Sequence, residues 1–423
     1  MLYLAWKNII KNPLNLILSI ILFGLGIGLI SFLLLINTQL KEKFDKNLAD
    51  IDLVVGAKGS PLQLILCSMY HIDNPTGNVK ISNAAPLLKP GHPLIKTAIP
   101  LSLGDNYKAY RIVGTNHDIL KLYGAELKEG EHWQKDFEVT IGSDVARETG
   151  LTLGSRFVSS HGFTDDEDLA HDHTAFVVTG IMGETGSVID QLILTNTASI
   201  WKVHEHENTE EEHDENQESH AAHDEGHQHD NSNADLLNHP DKEITSILIQ
   251  YKNRTNFQAL NFGRNINENT EMQAASPAIE INRLYSMIGI GTDAIQWLAI
   301  LIAVVSALSI FISLFKSMRE RRYELALIRV MGAGRVRLFL LIILEGIILA
   351  LIGFVVGMLI SHAGMEIMAG YLKSGFRYSF TGMRWLREEW LLLGVSLILG
   401  LVAAIIPAIQ AARTDINKTL SAG

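Results

Sequence analysis

Four stretches of the chain, Leu14 to Ile36, Ala294 to Phe315, Leu338 to Ile360 and Trp390 to Ala412, are apolar throughout. Each is long enough to cross a hydrocarbon core of about 30 Å, which takes roughly 20 helical residues. Four transmembrane helices are therefore predicted. The first resembles a cleaved signal in that Lys7 and Lys11 precede it. Its apolar run is longer than a signal h-region and no small-residue cleavage site follows, so it reads as a retained anchor.

Between the first two spans the pattern changes. QLKEKFDKNLADIDLVV carries a polar helical stretch onward from the first span and then turns strand-like. Strand-like runs follow at LIKTAIPLSL, AYRIVGT, FEVTIGS, RFVSS, AFVVTGIM, QLILT and ITSILIQYK, separated by Gly, Asn and Asp. A short helix is predicted from Asp144 to Leu151, ending at the turn LTLGS. The expected fold is an α-helical membrane protein with four transmembrane helices and a large mixed α/β extracytoplasmic domain on a helical stalk between spans one and two. That domain holds about 250 residues, enough for a core of its own.

Composition alone would not reveal this, because 423 residues with 47% hydrophobic content suit two or three soluble domains equally well. The distribution of charge adds an orientation. Net charge is −11, yet Lys and Arg gather at Lys7 and Lys11, between Lys316 and Arg337, and at Arg413 and Lys418. Cytoplasmic flanks are enriched in Lys and Arg, so these three flanks and both termini are expected inside. The loop between spans three and four carries Lys373, Arg377, Arg384 and Arg387 on the other side, partly offset by Glu388 and Glu389.

The resulting division is a cytoplasmic amphipathic helix at 1–13, spans at 14–37, 294–316, 338–361 and 390–412, and an extracytoplasmic domain at 38–293. A cytoplasmic segment at 317–337, an external loop at 362–389 and a cytoplasmic tail at 413–423 complete it. This puts the large domain outside the cytoplasm.

Candidate chemistry is sparse. The single cysteine, Cys67, excludes an internal disulfide. No GxxxxGK[ST], GxSxG, HExxH or CxxC occurs, and VGAKGSP lacks the spacing to cradle phosphates. The chain is therefore expected to be neither an ATPase nor any other enzyme, and no nucleic-acid partner is expected.

The tract His161 to His239 holds 11 of the 16 histidines and reads as a solvated, disordered insertion. Its imidazoles and carboxylates suit weak Zn²⁺ binding through His204, His206, His223, His227 and His229. A polar acidic loop that happens to be His-rich explains the same residues.

Within the spans the one central ionisable residue is Glu345, read either as a helix-packing or switch contact or as a protonated or paired structural carboxylate. Gly24/Gly28 and Gly353/Gly357 have the GxxxG spacing that lets helices approach closely, and they are expected at helix contacts. In RERRYELALIRVMGAGRVR, which runs from Arg319 to Arg337, Tyr323, Leu327 and Val330/Met331 form an apolar stripe. Arg319, Arg322 and Arg329 are left for water or an acidic partner, and Gly332 and Gly334 break the helix. Anchoring to lipid headgroups accounts for the charge but not for the stripe or the double-glycine turn.

This segment, continued through LFLLIILEGIILALIGFVVG, resembles the signature of the MacB/FtsX-type permeases of ABC transporters. LVAAIIPAIQAARTDINKTL is similar to the family's closing pattern, with Pro407, Ala408, Ala411, Ala412, Asp415 and Leu420 in the matching places. MLYLAWKNIIKNPLNLILSIILFGLGIG resembles its N-terminal helix and first span, and FEVTIGSDVARETGLTLGSRF a segment of its extracytoplasmic core domain.

The resemblance implies a stand-alone permease of the bacterial inner membrane, its large domain in the periplasm, that pairs with a second copy and binds a separate MacB- or LolD-like ATPase. ATP and Mg²⁺ would sit in that partner, and no cofactor would bind this chain directly. It implies that Arg319, Arg322, Tyr323, Glu324, Leu327, Ile328, Arg329, Met331 and Gly332 belong to the coupling segment that docks on the ATPase. Mechanotransmission for export or extraction of a substrate is the leading function, with a periplasmic adaptor or substrate protein as a further partner. FtsX-like signalling to a cell-wall hydrolase is the alternative. A stand-alone metal-cation transporter fits less well, because only Glu345 is central in the spans.

Overall fold

The computed structural model describes residues 2–10, 13–160, 170–210, 232–376 and 380–413. The chain starts with α1 (Leu2–Ile10) and α2 (Pro13–Asn47), followed by β1 (Leu53–Ala57), α3 (Pro61–Met69), β2 (Val79–Lys80) and α4 (Ile81–Leu88). Then come β3 (Ile95–Tyr107), β4 (Tyr110–Thr115), α5 (Asp118–Tyr123), β5 (Leu127–Gly130), β6 (Glu138–Ile141) and α6 (Ser143–Thr149). These lead to β7 (Arg156–Ser160), β8 (Ala170–Met182), a 3-10 turn at Val188–Gln191, β9 (Ile193–Thr195), α7 (Thr197–Glu210) and α8 (Asn233–Leu236). The remainder is β10 (Glu243–Ile244), β11 (Ser246–Tyr251), α9 (Phe257–Asn269), β12 (Met272–Ala275), α10 (Pro277–Glu320), α11 (Arg322–Val330), α12 (Arg335–Phe376) and α13 (Arg387–Ala412).

Two compact units result, one of residues 42–285 and one of residues 1–41 with 286–423. In the first, nine strands run in the order β12-β1-β11-β3-β4-β9-β6-β8-β5, with β7 bridging β3 and β8. The pairs β4/β9 and β6/β8 are parallel, whereas β1/β11, β11/β3 and β3/β4 are antiparallel. One part of the core gathers Val55, Ile81, Leu88, Ile247 and Ile249, and another gathers Ile112, Val139, Ile141, Phe176 and Val178. All seven strand-like runs read from the sequence lie in strands.

The expected helix at 144–151 spans Ser143–Thr149, and Gly150 at φ 75° ends it by entering the left-handed region. Of the insertion expected over 161–239, residues 161–169 and 211–231 lie outside the described residues. β8, β9 and α7 fall inside those bounds, and Phe176, Val178, Ile193 and Leu194 are buried. Their β-branched and aromatic side chains outweigh the polarity of the neighbouring histidines.

Where α2 ends, Ala49 and Asp50 take positive φ and turn the chain into β1. Arg254 fixes the turn by pairing with Asp52 at 2.6 Å and Asp50 at 3.1 Å. In the same unit Phe44 packs on Tyr70 and Tyr285, with ring centroids 4.8 and 5.9 Å away, which ties the end of α2 to the start of α10.

The second unit contains four helices long and apolar enough to cross a membrane, at Leu16–Asn47, Asp293–Glu320, Arg335–Tyr371 and Arg387–Ala412. They are longer than the hydropathy cores, because helix formation does not stop where polarity begins. The loop expected at 362–389 is accordingly shorter, since α12 runs to Phe376 and α13 begins at Arg387. The four glycines meet inside one chain. A Cβ on Gly28 would lie 2.8 Å from the Gly357 carbonyl oxygen, and one on Gly357 would lie 2.7 Å from that of Gly24. A Cβ on Gly353 would meet Phe23, and one on Gly24 would lie 3.3 Å from the Gly353 oxygen. Glycine is what permits α2 and α12 to cross this closely.

Candidate functional site

Arg319 to Arg337 folds as three pieces. α10 ends at Glu320, Arg321 breaks the helical path at φ −103° and ψ 18°, and α11 occupies Arg322–Val330. Gly332 at φ 97° then turns the chain toward α12. A residue with a side chain would be strained there, but glycine takes a positive φ without a Cβ clash.

α11 is amphipathic with two unlike faces. Leu325 and Ala326 are buried, and Ile328 packs partly against the cluster formed by Leu314, Met318 and Leu338. The other side presents Tyr323, Leu327, Val330 and Met331, which are 51, 42, 61 and 73% exposed. The stripe read from the sequence is thus an outward-facing apolar edge, and the inner face is supplied by residues between its members. Around it, Arg322 and Glu324 are exposed, Arg329 is half-buried, and Arg319 lies over the Phe315 ring with its guanidinium 5.5 Å from the centroid.

Beneath α11 lies Glu345, buried on α12. Asn8 of α1 donates to its Oε1 at 2.8 Å. Arg321 approaches Oε2 at 3.5 Å and is itself held by Ser317, whose hydroxyl accepts from Nη2 and whose carbonyl accepts from Nε at 3.4 Å. Of the two readings of Glu345, the structure brings it a cationic partner. That partner is Arg321, which sequence reasoning passed over in favour of its exposed neighbours Arg319 and Arg322. Helical periodicity cannot select among consecutive arginines when the helix breaks at one of them.

A second polar node, also missed, joins α2, α12 and α13. Glu389, buried in the first turn of α13, accepts from Ser31 Oγ at 3.0 Å and from the Leu386 amide at 2.9 Å. Ser361 donates to Ser31 at 2.9 Å. His362 Nε2 lies 3.1 Å from Glu389 Oε1, and its Nδ1 meets the Gly382 carbonyl. Because a carbonyl only accepts, Nδ1 carries the hydrogen. Gln39 and Glu366 hold Thr381 and Gly382 from the side, at 3.0 and 2.7 Å to their amides. Glu389, read from the sequence only as an offset to the loop's positive charge, thus serves as an internal clamp. The signal that could have found it is the spacing Leu386-x-x-Glu389, a helix-start pattern in which the glutamate turns back to the preceding backbone.

Among the metal candidates, His204 and His206 lie in α7, whereas His223, His227 and His229 lie outside the described residues. Among the described residues no group of three or more His, Cys, Asp or Glu side chains converges on a metal position.

Residues 297–416 match the family model of the FtsX-like permease C-terminal domain. Over this stretch the chain is similar to the FtsX-like permeases. The matched stretch holds α11, Arg321, Glu345 and Glu389, so the exposed stripe and the carboxylates of both polar nodes fall within it, whereas Asn8, Ser31 and Gln39 come from α1 and α2 outside it. The likeness supports a permease subunit of an ABC-type transporter. Comparison of the chain with curated proteins gave no match.

Proposed function

We propose that the chain is the stand-alone permease of an FtsX/MacB-type transporter and that α11 is the surface on which a separate ATPase docks. The observation that carries this is the outward apolar edge of Tyr323, Leu327, Val330 and Met331 on a short helix packed at the ends of two spans. A lipid anchor would need basic residues but not this edge, which suits the core of a protein interface. In this reading the ends of the spans near α11 face the cytoplasm and the unit of residues 42–285 lies outside. Closure of the ATPase is transmitted through α10 and α2 to that unit to move or release a substrate. Two permease copies act together, and the histidine-rich tract holds Zn²⁺ weakly.

Signalling to a cell-wall hydrolase would use the same docking surface and differs only in what the outer unit engages. Docking is tested by Leu327→Asp with Met331→Asp, which places unpaired charge in the contact at a cost of several kcal/mol. The expected product is a correctly inserted permease that retains no ATPase. Charge reversal at Arg335 and Arg337, which weakens anchoring alone, is expected to leave the ATPase bound. A fully coupled ATPase on the Leu327/Met331 variant would reduce α11 to a lipid anchor.

A further inference from the structure

Arg321 and Glu345 form a buried ion pair in the helical unit, apart from the Glu389 node, and docking of a partner on α11 does not require one. Stability does not explain it either, because apolar residues of similar volume often replace such a pair without loss. Its placement is more informative. Arg321 is the single residue between α10 and α11. Its amide donates to the Ser317 carbonyl at 3.2 Å, within α10, and its carbonyl accepts from the Leu325 amide at 3.0 Å, within α11. Any tilt of α11 about this joint moves the guanidinium. The guanidinium holds one oxygen of Glu345 on α12, and the other oxygen is held by Asn8 on α1.

We infer that Arg321 and Glu345 are the positioning pair that makes α11, α1 and α12 move together, passing motion of a docked ATPase into the spans. This rests on the docking role of α11. A guanidinium–carboxylate contact suits the task because it is directional. Apolar side chains could slide past one another, whereas a tilt of α11 must carry the paired carboxylate along or break the contact. Asn8 extends the connection to α1 without adding another charge to the interior.

The test uses the full permease with the ATPase that co-purifies with it, reconstituted in nanodiscs. Glu345→Gln keeps an oxygen for Asn8 but loses the charge. It is expected to retain the ATPase at wild-type stoichiometry, with kcat for ATP hydrolysis down at least tenfold and KM for ATP unchanged. The swap of Arg321→Glu with Glu345→Arg is expected to recover more than half of kcat, which a role in packing alone would not produce. In the permease without ATPase, spin labels at the exposed positions Lys7 and Arg322 should give a single narrow distance that broadens in Glu345→Gln.

A wild-type kcat and unchanged distance in Glu345→Gln would overturn the inference while leaving docking intact. Loss of the ATPase from Glu345→Gln without recovery in the swap would make the pair a fold element and overturn it too. Retention of a fully coupled ATPase by the Leu327→Asp/Met331→Asp variant would instead sink docking itself, and the inference with it.

Discussion

Replacing Gly357 with alanine separates a structural role of the glycine rows from a role in pairing two permeases. The added Cβ would stand 2.7 Å from the Gly24 carbonyl oxygen and 3.0 Å from the Gly28 nitrogen. Both are backbone atoms and cannot turn aside. Ordinary contact begins near 3.4 Å, so α2 and α12 would have to separate by several tenths of an ångström along a buried seam. Overpacking of this kind costs about 1–3 kcal/mol. Gly370, on the same helix, has nothing within 4 Å of where its Cβ would be, so alanine there is expected to be neutral or to stabilise by up to about 1 kcal/mol. Thermal unfolding of the full chain in nanodiscs, followed by intrinsic tryptophan fluorescence, should show a lowered transition for Gly357→Ala and none of that loss for Gly370→Ala. Native mass spectrometry should find both variants in the wild-type oligomeric state. Equal melting of the two variants, or loss of oligomer by Gly357→Ala at unchanged melting, would refute the intrachain seam.

Three further outcomes follow from the polar groups. Burial, reinforced by the Arg111 charge, pushes the His71 imidazole down to about 3, so the unfolded chain takes up this proton first as pH falls below about 6.5. Stability is therefore lost progressively from about 6.5 toward 3, and His71→Phe should flatten that part of the melting-versus-pH curve; an unchanged slope would show that other groups dominate. Ser31→Ala removes one donor to buried Glu389, an effect of about 1–3 kcal/mol, and should speed hydrogen exchange in residues 380–386 while leaving α11 unchanged. For the histidine-rich tract, calorimetry of the full chain should give a weak Zn²⁺ heat that disappears when His204, His206, His223, His227 and His229 are all replaced by Asn, and persistence of the heat would place zinc elsewhere.

The spans were legible because a run of about 20 consecutive apolar residues matches the thickness of a hydrocarbon core, whereas the buried helices of a water-soluble domain keep one polar face. The strands from LIKTAIPLSL to ITSILIQYK were legible from β-branched runs bounded by turn residues. β5, built on LKEG, and the two-residue β2 carry no such run and are strands only because β8 and β10 pair with them. α3 is capped by Ser60 and starts at Pro61, a helix-start signal that the short apolar run LQLILC obscures, since such a run suits strand or helix. At the candidate site, periodicity located the α11 stripe, which depends on local spacing. It could not identify Arg321 or Glu389, whose roles depend on residues distant in sequence. Asn8 lies 337 positions from Glu345, and Ser31 lies 358 from Glu389.

Site-specific photocrosslinking from α11 tests docking most directly. A photoreactive phenylalanine analogue at Met331, the most exposed member of the stripe, can be activated in native membranes with the permease at its natural level. A specific adduct with a Walker-type ATPase is expected, weakened when Leu327→Asp is also present and absent when the same probe is placed at Met383, on the loop between α12 and α13. Adducts with lipid alone from Met331, under conditions where ATP hydrolysis by the intact complex is measurable, would contradict it.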